Sequence, residues 1–334
     1  MTRSGARFGA GALARRLLAF LGAVACLAYC APDRGEGGHA SAQTVRRADS
    51  GSSDAARAAG DGGGINTEPC QLVGRPVALP DLPEASGVAV SRRTPGILWS
   101  LNDSGDPIVL ALSADGAPSG RVRVTGAEVT DWEAIAVGPC AAGSCLFVAD
   151  LGDNDANRQR ITIFRSPEPA PGDGATRPVE ALHATYPDGA HDAEALFVTS
   201  DGSLFVVTKG ETGHIALYRF PQPLRAGSTA RLERITVLGG QAKKSDRVTD
   251  ASASPDGAWI ALRTRDVVTF YRTSDLTAGR RGTPVTFDVR ALGERQGEGV
   301  AMGGEGVVYL VSEGGGKKRP GTLSRIQCTL SGSG

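Results

Sequence analysis

Aromatic residues and histidines are scarce in this sequence, and its charges cancel. Phe, Trp and Tyr make up 5% of the 334 residues, there are four histidines, and 36 basic side chains balance 36 acidic ones. A chain without net positive charge is a poor candidate for nucleic-acid binding, so we expect no nucleic-acid partner. The histidines are scattered and no G-x-S-x-G motif accompanies them, which argues against a serine hydrolase triad.

Long apolar runs are also missing. The N-terminal run LLAFLGAVACLAY follows four arginines, and it is shorter than the roughly 20 residues that a membrane-spanning helix needs. This arrangement predicts a signal peptide over residues 1–30. Cys26 and Cys30 stand where a bacterial lipoprotein carries its lipidated cysteine, so an N-terminal lipid anchor stays open as the one link to a membrane. Residues 31–68, rich in Gly, Ser, Ala and Asp, predict a disordered linker before a folded domain over residues 69–330.

Four cysteines fall within the predicted domain. Cys140 and Cys145 flank the short stretch AAGS, whereas Cys70 and Cys328 lie at the two ends of the domain. An even count in an exported protein favours disulfides over metal binding. The sequence therefore predicts a local Cys140–Cys145 disulfide and an extracytoplasmic location: secreted, periplasmic or held at the cell envelope.

Five segments repeat one pattern at intervals of about fifty residues. Each begins with a short run that continues through a turn into further β-branched or aromatic strands, with turn signals such as SADG, TSDG and SPDG. The opening runs are SGVAV at Ser86, EAIAV at Glu133, EALFV at Glu194, DASAS at Asp250 and EGVAM at Glu298. The pattern predicts an all-β fold, a β-propeller with five blades; a sixth, degenerate blade and a two-sheet sandwich are the alternatives.

The fifth repeat lacks a fourth strand, and an additional strand, QLVGRPVAL, begins at Gln71. We predict that this N-terminal strand completes the last blade, because ring closure removes two exposed sheet edges. The closure would bring Cys70 beside Cys328, where a second disulfide would lock the ring.

One face of such a propeller collects the longer polar loops. The first strand of each blade starts at the face where the second strand ends, and loops on a rigid scaffold often carry function. As candidate catalytic residues at this face we predict Asp103, Asp150, Asp153, Lys209 and Arg265. As candidate substrate-binding residues we predict Asn102, Asn154, His191, Lys243, Lys244 and Glu313.

The first residues of the five repeats are expected to form a ring around the axis: Ser86, Glu133, Glu194, Asp250 and Glu298. Carboxylates this close repel by about 3 kcal/mol per pair at an effective dielectric constant of ~20. Either their pKa values rise or a cation lies among them. Oxygen ligands without Cys or His favour Ca²⁺ over zinc. The alternative is that these side chains hydrogen-bond to backbone amides.

This ring resembles that of the calcium-activated nucleotidases, or soluble apyrases. In that family five blades hold a central calcium with the series Ser, Glu, Glu, Ser, Glu, from which this sequence departs at Asp250. The motifs NDSGD, DLGDN and EAL are also similar to those of exported bacterial propellers of an esterase-like or phytase-like grouping. Six-bladed gluconolactonase-type propellers also use a Glu/Asn/Asp metal site, but five repeats argue against them.

Two functions of different classes follow from this pattern. The first is calcium-dependent hydrolysis of a phosphoanhydride, phosphoester or ester, in which basic side chains hold the substrate and an aspartate orients water. The second is non-catalytic binding of a protein or glycan of the cell envelope, since a propeller fold alone does not decide function. In either case we expect a monomer.

Overall fold

The computed structural model describes residues 68–331. The predicted signal peptide, Cys26, Cys30 and the predicted linker up to residue 67 lie outside the described residues. The described part of the chain contains five β-sheets, three short 3-10 turns and a single turn of α-helix, α1 (Thr273–Leu276). The all-β prediction is confirmed.

Each sheet is one blade of a propeller. Blade 1 comprises β2 (Ala85–Val90), β3 (Ile97–Asn102), β4 (Ile108–Ser113) and β5 (Pro118–Arg123), and blade 2 comprises β6 (Trp132–Cys140), β7 (Gly143–Asp150), β8 (Ile161–Pro167) and β10 (Glu180–Thr185). Blade 3 comprises β11 (Ala193–Val198), β12 (Leu204–Thr208), β13 (Ile215–Arg219) and β15 (Glu233–Gly239). Blade 4 comprises β16 (Val248–Ala253), β17 (Trp259–Thr264), β18 (Val267–Arg272) and β19 (Val285–Asp288).

Blade 5 combines strands from both ends of the described chain. Its inner strands are β20 (Gln296–Met302), β21 (Val307–Glu313) and β22 (Gly321–Cys328), and its outermost strand is the N-terminal β1 (Cys70–Leu79). The antiparallel pairing of β1 with β22 begins with Cys70 opposite Cys328, and these two cysteines form a disulfide. The predicted closure of the ring is confirmed. The Cys140–Cys145 disulfide across the turn between β6 and β7 is confirmed as well.

Two further short strands extend the sheets of blades 1 and 2. β9 (Gly174–Ala175) pairs in parallel with β5, and β14 (Thr229–Arg231) pairs in parallel with β10. Each comes from the chain of the following blade. They cover edges that would otherwise offer unpaired backbone groups.

The hydrophobic core is divided among the blade interfaces. Five clusters of buried apolar side chains are found, one between each pair of neighbouring blades, including the pair formed by blades 5 and 1. Apolar residues point to both faces of the inner strands because both faces pack against a neighbouring sheet. Five interfaces among five sheets close the ring, so five blades are confirmed for the described residues.

Candidate functional site

A β-bulge lies near the start of each innermost strand. The pairing of each innermost strand with the second strand of its blade skips one residue there. Bulges re-aim a side chain and are frequent near functional sites. The skipped residues, called the hub ring below, are Ser86, Glu133, Glu194, Thr249 and Glu298.

The fourth member of the hub ring differs from the sequence prediction. The bulge in β16 leaves out Thr249, whereas Asp250 pairs with Arg263 of β17. Asp250 is fully buried, and its Oδ2 accepts a 2.8 Å hydrogen bond from the backbone amide of Val300 in blade 5. Asp250 therefore ties blade 4 to blade 5, as the backbone-amide alternative predicted. Its burial raises the pKa of its carboxyl well above the ordinary value, although the bond from Val300 opposes this.

A spacing signal in the sequence identifies Thr249. Five residues separate Glu194 from the turn that starts at Thr199, and five separate Thr249 from the equivalent turn at Ser254. Counting five positions back from the turn at Ser254 identifies Thr249 as the ring residue of blade 4. Aligning the repeats by their acidic residues identifies Asp250 instead. With Thr249 in place, the ring has a hydroxyl at the fourth position instead of a carboxylate.

The two hydroxyl members of the ring make matching contacts with the following blade. Ser86 Oγ donates to the carbonyl oxygen of Glu133 at 2.9 Å, and Thr249 Oγ1 donates to the carbonyl oxygen of Glu298 at 2.8 Å. Ser86 Oγ also lies 2.9 Å from Glu133 Oε2. The hydroxyls thus fix the bulges of blades 2 and 5 and bring the Glu133 carboxylate toward Ser86.

Burial raises the pKa of all three glutamates of the ring, and Glu194 further raises the pKa of the other two. Burial raises the pKa of Glu133 well above its ordinary value, and the Glu194, Asp131 and Glu298 carboxylates add to this. Burial likewise raises the pKa of Glu298 well above its ordinary value, with Glu194 as the next cause. The pKa of Glu194 rises to about 7 because of burial, although Lys209 opposes the rise. Carboxyl groups from three blades are therefore concentrated at one end of the propeller axis, the end where the innermost strands begin, which is called the mouth below.

Lys209 supplies positive charge to this mouth. It follows β12, and its Nζ contacts the Glu194 carboxylate and lies 3.3 Å from Asp192 Oδ2 and 3.4 Å from Glu211 Oε2. Although burial acts against it, Glu194 and Asp192 raise the pKa of Lys209 above its usual range. Lys209 therefore stays charged and acts as the counter-ion of blade 3, a position that binds carboxylates rather than substrate phosphate.

A second group of carboxylates lies around the mouth between blades 5 and 1. Burial, Asp103 and Glu84 raise the pKa of Glu313 to about 7, and Gln296 Nε2 donates to Glu313 Oε1 at 2.9 Å. Burial and Glu84 also raise the pKa of Asp103. Asp103 Oδ1 is buried without a hydrogen-bond partner in the described part of the chain. This pair keeps free acceptor capacity and a proton near neutral pH.

Asp150 and Asp153 are engaged by the protein itself. Asp150 Oδ2 accepts from the Thr130 amide at 2.8 Å, and its Oδ1 pairs with Arg158 at 2.5 Å. The two oxygens of Asp153 accept from the Asn157 and Arg158 amides at 3.0 and 2.7 Å. Both aspartates shape the loop after β7, and the structure does not present them as free carboxylates for orienting water.

The remaining polar candidates are spread over several loops. Asn102 accepts from the Glu84 amide and donates to the Asp81 carbonyl, so it holds the start of blade 1. Asn154 Oδ1 is 3.5 Å from Lys209 Nζ. Lys243 and Lys244 are exposed, and the charge of Lys244 acts on Glu313. Arg265 lies 3.8 Å from its neighbour Asp266.

His191 belongs to a separate cluster between blades 2 and 3. Its Nε2 lies 3.1 Å from Asp188 Oδ1 and 3.1 Å from the Tyr218 hydroxyl, and its ring packs edge-on against Tyr186. Arg234 also pairs with Asp188 at 2.7 Å. Sequence reasoning missed this cluster, because its members come from separate turns and strands without a shared motif.

The donor chemistry of the hub ring fits a hard cation, since all of its side-chain donors are oxygens. The carboxylates are too far apart to form a complete metal site, however. Among the described residues, no three His, Cys, Asp or Glu side chains are grouped tightly enough to hold one metal ion. Glu194 is held by Lys209, and Glu133 accepts from Ser86. A cation at this mouth would therefore be bound by few carboxylates at once, with water completing its shell.

Comparison with known proteins assigns this chain to no family. No known protein family and no curated protein matches the sequence. The solved structures that match it include a PQQ-bound aldose sugar dehydrogenase from Streptomyces coelicolor, a gluconolactonase from Xanthomonas campestris and a glucose dehydrogenase. Their sequence identities are 13%, 12% and 10%, and their TM-scores are 0.46, 0.43 and 0.47.

These matches extend over most of the chain: 77%, 73% and 77% of this chain and 98%, 72% and 100% of the three structures, respectively. At such identities and TM-scores they carry no argument about activity, and the resemblance to calcium-activated nucleotidases gains no support from them. The chain is a five-bladed β-propeller with an acidic axial mouth, as its strand pairing shows. None of the helices in the described residues has the length and apolar character needed to cross a bilayer.

Proposed function

We propose that this protein is an extracytoplasmic propeller that binds Ca²⁺ at the hub ring and uses the mouth to bind an anionic ligand. The observation that carries the proposal is that three different blades direct Glu133, Glu194 and Glu298 to one mouth, where burial raises the pKa of all three carboxyls and Glu194 further raises those of Glu133 and Glu298. Buried carboxylates that raise one another's pKa favour any cation that can lie among them. The two disulfides support the location, since such bonds persist in oxidising compartments.

Calcium is the ion we propose because the available ligands are carboxylate and hydroxyl oxygens and because calcium tolerates irregular shells completed by water. Of the carboxylates Glu133, Glu194 and Glu298, one or two at a time would hold it, with water completing the shell. Ser86 and Thr249 would keep the bulges in place. When bound, the ion would supply positive charge that attracts a phosphate or carboxylate group. That charge matters here, since an acidic mouth repels anions on its own.

The reaction that the mouth supports best is hydrolysis of a phosphoanhydride, phosphoester or ester. Glu313, with a pKa of about 7, exists in both protonation states near neutral pH and can deliver a proton to a leaving oxygen. Asp103, whose charge acts on Glu313, is the carboxylate that we propose accepts a proton from attacking water. Lys244 is exposed and its charge acts on Glu313, so we propose that it attracts the anionic part of the substrate.

The engaged state of several predicted catalytic residues favours a second function. Asp150, Asp153 and Asn102 spend their hydrogen bonds on neighbouring backbone groups. A mouth with fewer free groups suits a propeller that grips an envelope protein or glycan without chemistry. Under this alternative calcium still binds, but no substrate is turned over.

The test compares thermal melting in calcium and in chelator. Saturating Ca²⁺ stabilises a protein by about 2.7 kcal/mol at a concentration one hundred times the dissociation constant, which is a rise of roughly 5–10 °C in Tm for a domain of this size. We expect this rise in the wild type and its loss in a Glu133→Gln, Glu298→Gln variant. Glu180→Gln is the matched control, because Glu180 lies on β10 at the outer side of blade 2. This variant should show the same calcium-dependent rise in Tm as the wild type.

Phosphate release from a nucleoside diphosphate, measured with the same proteins, separates the two functions. Calcium-dependent release that Glu313→Gln reduces at least tenfold supports the hydrolase. A calcium-dependent Tm rise without release supports the binding propeller. An unchanged Tm in calcium, or an equal rise in the double variant, contradicts cation binding at the hub ring.

A further inference from the structure

The opposite end of the axis holds an open cavity lined by both apolar and polar groups. It has a volume of about 360 Å³ and is enclosed by the final residues of the innermost strands, with Val88, Ile135, Phe197, Ala251 and Met302 contributed by blades 1 to 5 in turn. This volume is at the lower end of the range for ligand pockets, about 300–1,000 Å³. The same five strands therefore carry carboxylates at one end of the axis and apolar side chains at the other.

Small side chains create the space. Ala89, Ala136, Ala251 and Ala253 line the cavity where larger residues would fill the axis. Met302 and Ala136 are buried, whereas Pro95 and Pro255 are exposed at the rim. Ser91 and Ser252 add polar groups to this lining. The apolar part of the wall offers water few hydrogen-bond partners, so a ligand with an apolar body displaces that water at little cost.

Arg92 is the charged side chain that lines this cavity. Within residues 68–331 its guanidinium has no hydrogen-bond acceptor, and Glu168 is the one charge that acts on it strongly. Burial lowers the pKa of Arg92, although Glu168 opposes this.

Glu168 cannot serve as a hydrogen-bond partner for Arg92, because other donors already use its oxygens. Ser91 Oγ and Trp99 Nε1 donate to Glu168 Oε1 at 2.5 and 3.0 Å, and Ser144 Oγ donates to Oε2 at 2.5 Å. Arg93, the next residue, donates to the Glu168 carbonyl at 2.9 Å. Arg92 is exposed at the rim of the cavity, and its donors have no protein partner among the described residues, so they are open to a ligand.

We propose that this cavity is a second binding site, which takes a small monocarboxylate with an apolar body, the body lying along the axis and the carboxylate paired with Arg92. Arg pairs with carboxylates through two parallel hydrogen bonds, and the apolar walls supply the remaining affinity. One cation fits a single negative charge, whereas a phosphate dianion would be left half neutralised. The site is independent of the calcium proposal, because it lies at the other mouth.

The experiment measures binding by titration calorimetry with octanoate and phenylacetate, a linear and an aromatic probe, and with octanamide as a neutral analogue. We expect saturable binding of at least one carboxylate with one site per chain. Arg92→Gln is expected to weaken carboxylate binding at least tenfold and to leave octanamide binding within about twofold. Ala253→Met, which fills the cavity, is expected to abolish binding of all three probes.

Arg93→Gln is the matched control, since it removes an equal charge one residue away from a side chain that does not line the cavity. It should leave carboxylate affinity within about twofold, with melting curves confirming that every variant is folded. The proposal is overturned if the wild type binds neither carboxylate saturably, or if Arg92→Gln and Arg93→Gln weaken binding equally. The stronger of the two probes then shows whether the natural ligand is linear or aromatic.

Discussion

At the scale of single residues, the axial mouth depends on how a few buried charges are shared. Lys209 lies among three carboxylates of blade 3, and its side chain is 15% exposed. Removing one partner of a largely buried ion pair leaves the other without compensation, which costs more than the pair itself contributes. We therefore expect substitution of Lys209 to lower the free energy of unfolding more than any other substitution at this mouth.

We predict that Lys209→Met lowers the free energy of unfolding by about 3 kcal/mol at pH 8. Near pH 5 the loss should shrink to less than half. The reason is that Glu194 has a folded-state pKa of about 7, above its ordinary value of 4.5. The folded protein therefore holds this proton more tightly than the unfolded chain, and stability falls as pH rises through this window. Urea unfolding at the two pH values measures both effects.

Lys317→Met is the control for this prediction. Lys317 pairs with Glu84 at 3.5 Å, but its side chain is 75% exposed. Exposed ion pairs contribute little, so the change should stay below about 0.5 kcal/mol at both pH values. An equal loss at pH 5 and pH 8 for Lys209→Met would show that packing of its side chain, and not its charge, supports the mouth.

At the scale of strands, the outermost strand of blade 5 closes the ring. Most of β1 is exposed, and Leu72, Val73 and Val77 remain about two-fifths exposed. Such a strand is held by its ladder with β22 and by the disulfide at its first residue. The Cys70–Cys328 bond joins residues 258 apart in sequence, whereas Cys140–Cys145 joins residues 5 apart.

We predict that replacing both Cys70 and Cys328 with serine lowers stability by about 3–5 kcal/mol, because the long loop regains much conformational freedom in the unfolded chain. Replacing Cys140 and Cys145 should cost about 2 kcal/mol, since their loop is short. Thermal melting of the two double variants under non-reducing conditions measures the difference. Equal losses would mean that the ring is closed by strand pairing and packing alone.

Strands and their order could largely be predicted from the sequence, whereas contacts between blades could not. Repeated apolar runs and turn signals depend on local residues, so they located the innermost strands and the strand supplied by the N-terminal end. Arg263, by contrast, appears in the sequence as a charge within an apolar strand. It is fully buried, donates to the Gly299 and Val311 carbonyls of blade 5 at 2.6 and 2.9 Å, and pairs with Glu294. These partners depend on the register of a strand from a different blade.

The candidate site shows the same limit. Three glutamates and Ser86 were located because they open similar runs, but a shift of one residue in a bulge exchanged Asp250 for Thr249. The partners of Lys209 and the saturation of Asp150 and Asp153 depend on loop conformations that hydrophobic patterns do not encode. The sequence therefore predicts which residues lie around the axis, whereas their hydrogen bonds and ion pairs are visible only in the structure.

At the scale of the whole molecule, the ring is held by close approach of the innermost strands. Gly299 in blade 5 faces blade 1: a Cβ atom there would lie 2.8 Å from the Val88 backbone nitrogen and 2.9 Å from the Gly87 carbonyl carbon. Gly87 meets blade 2 in the same way, 3.0 Å from the Ile135 nitrogen. The ring thus leaves no room for a side chain at the junction where it closes.

We predict that Gly299→Ala lowers the free energy of unfolding by about 2–3 kcal/mol, because the added methyl group forces backbone of two blades apart. Gly304→Ala in the same blade is the control, since a Cβ atom at that position meets nothing within 4 Å. Denaturant unfolding of both variants measures the difference. A loss shared by both variants would point to backbone flexibility in blade 5 instead of crowding.

The added strands β9 and β14 make the contacts between neighbouring blades unequal around the propeller. β9, from the chain of blade 2, extends the sheet of blade 1, and β14, from the chain of blade 3, extends that of blade 2. Backbone pairing at the outer edges thus links blades 1, 2 and 3 to one another. Blades 4 and 5 lack such added strands and are held by packing, by their loops and, in blade 5, by the Cys70–Cys328 disulfide. We therefore expect thermal unfolding to begin at blades 4 and 5, because neither blade gives a strand to a neighbouring sheet.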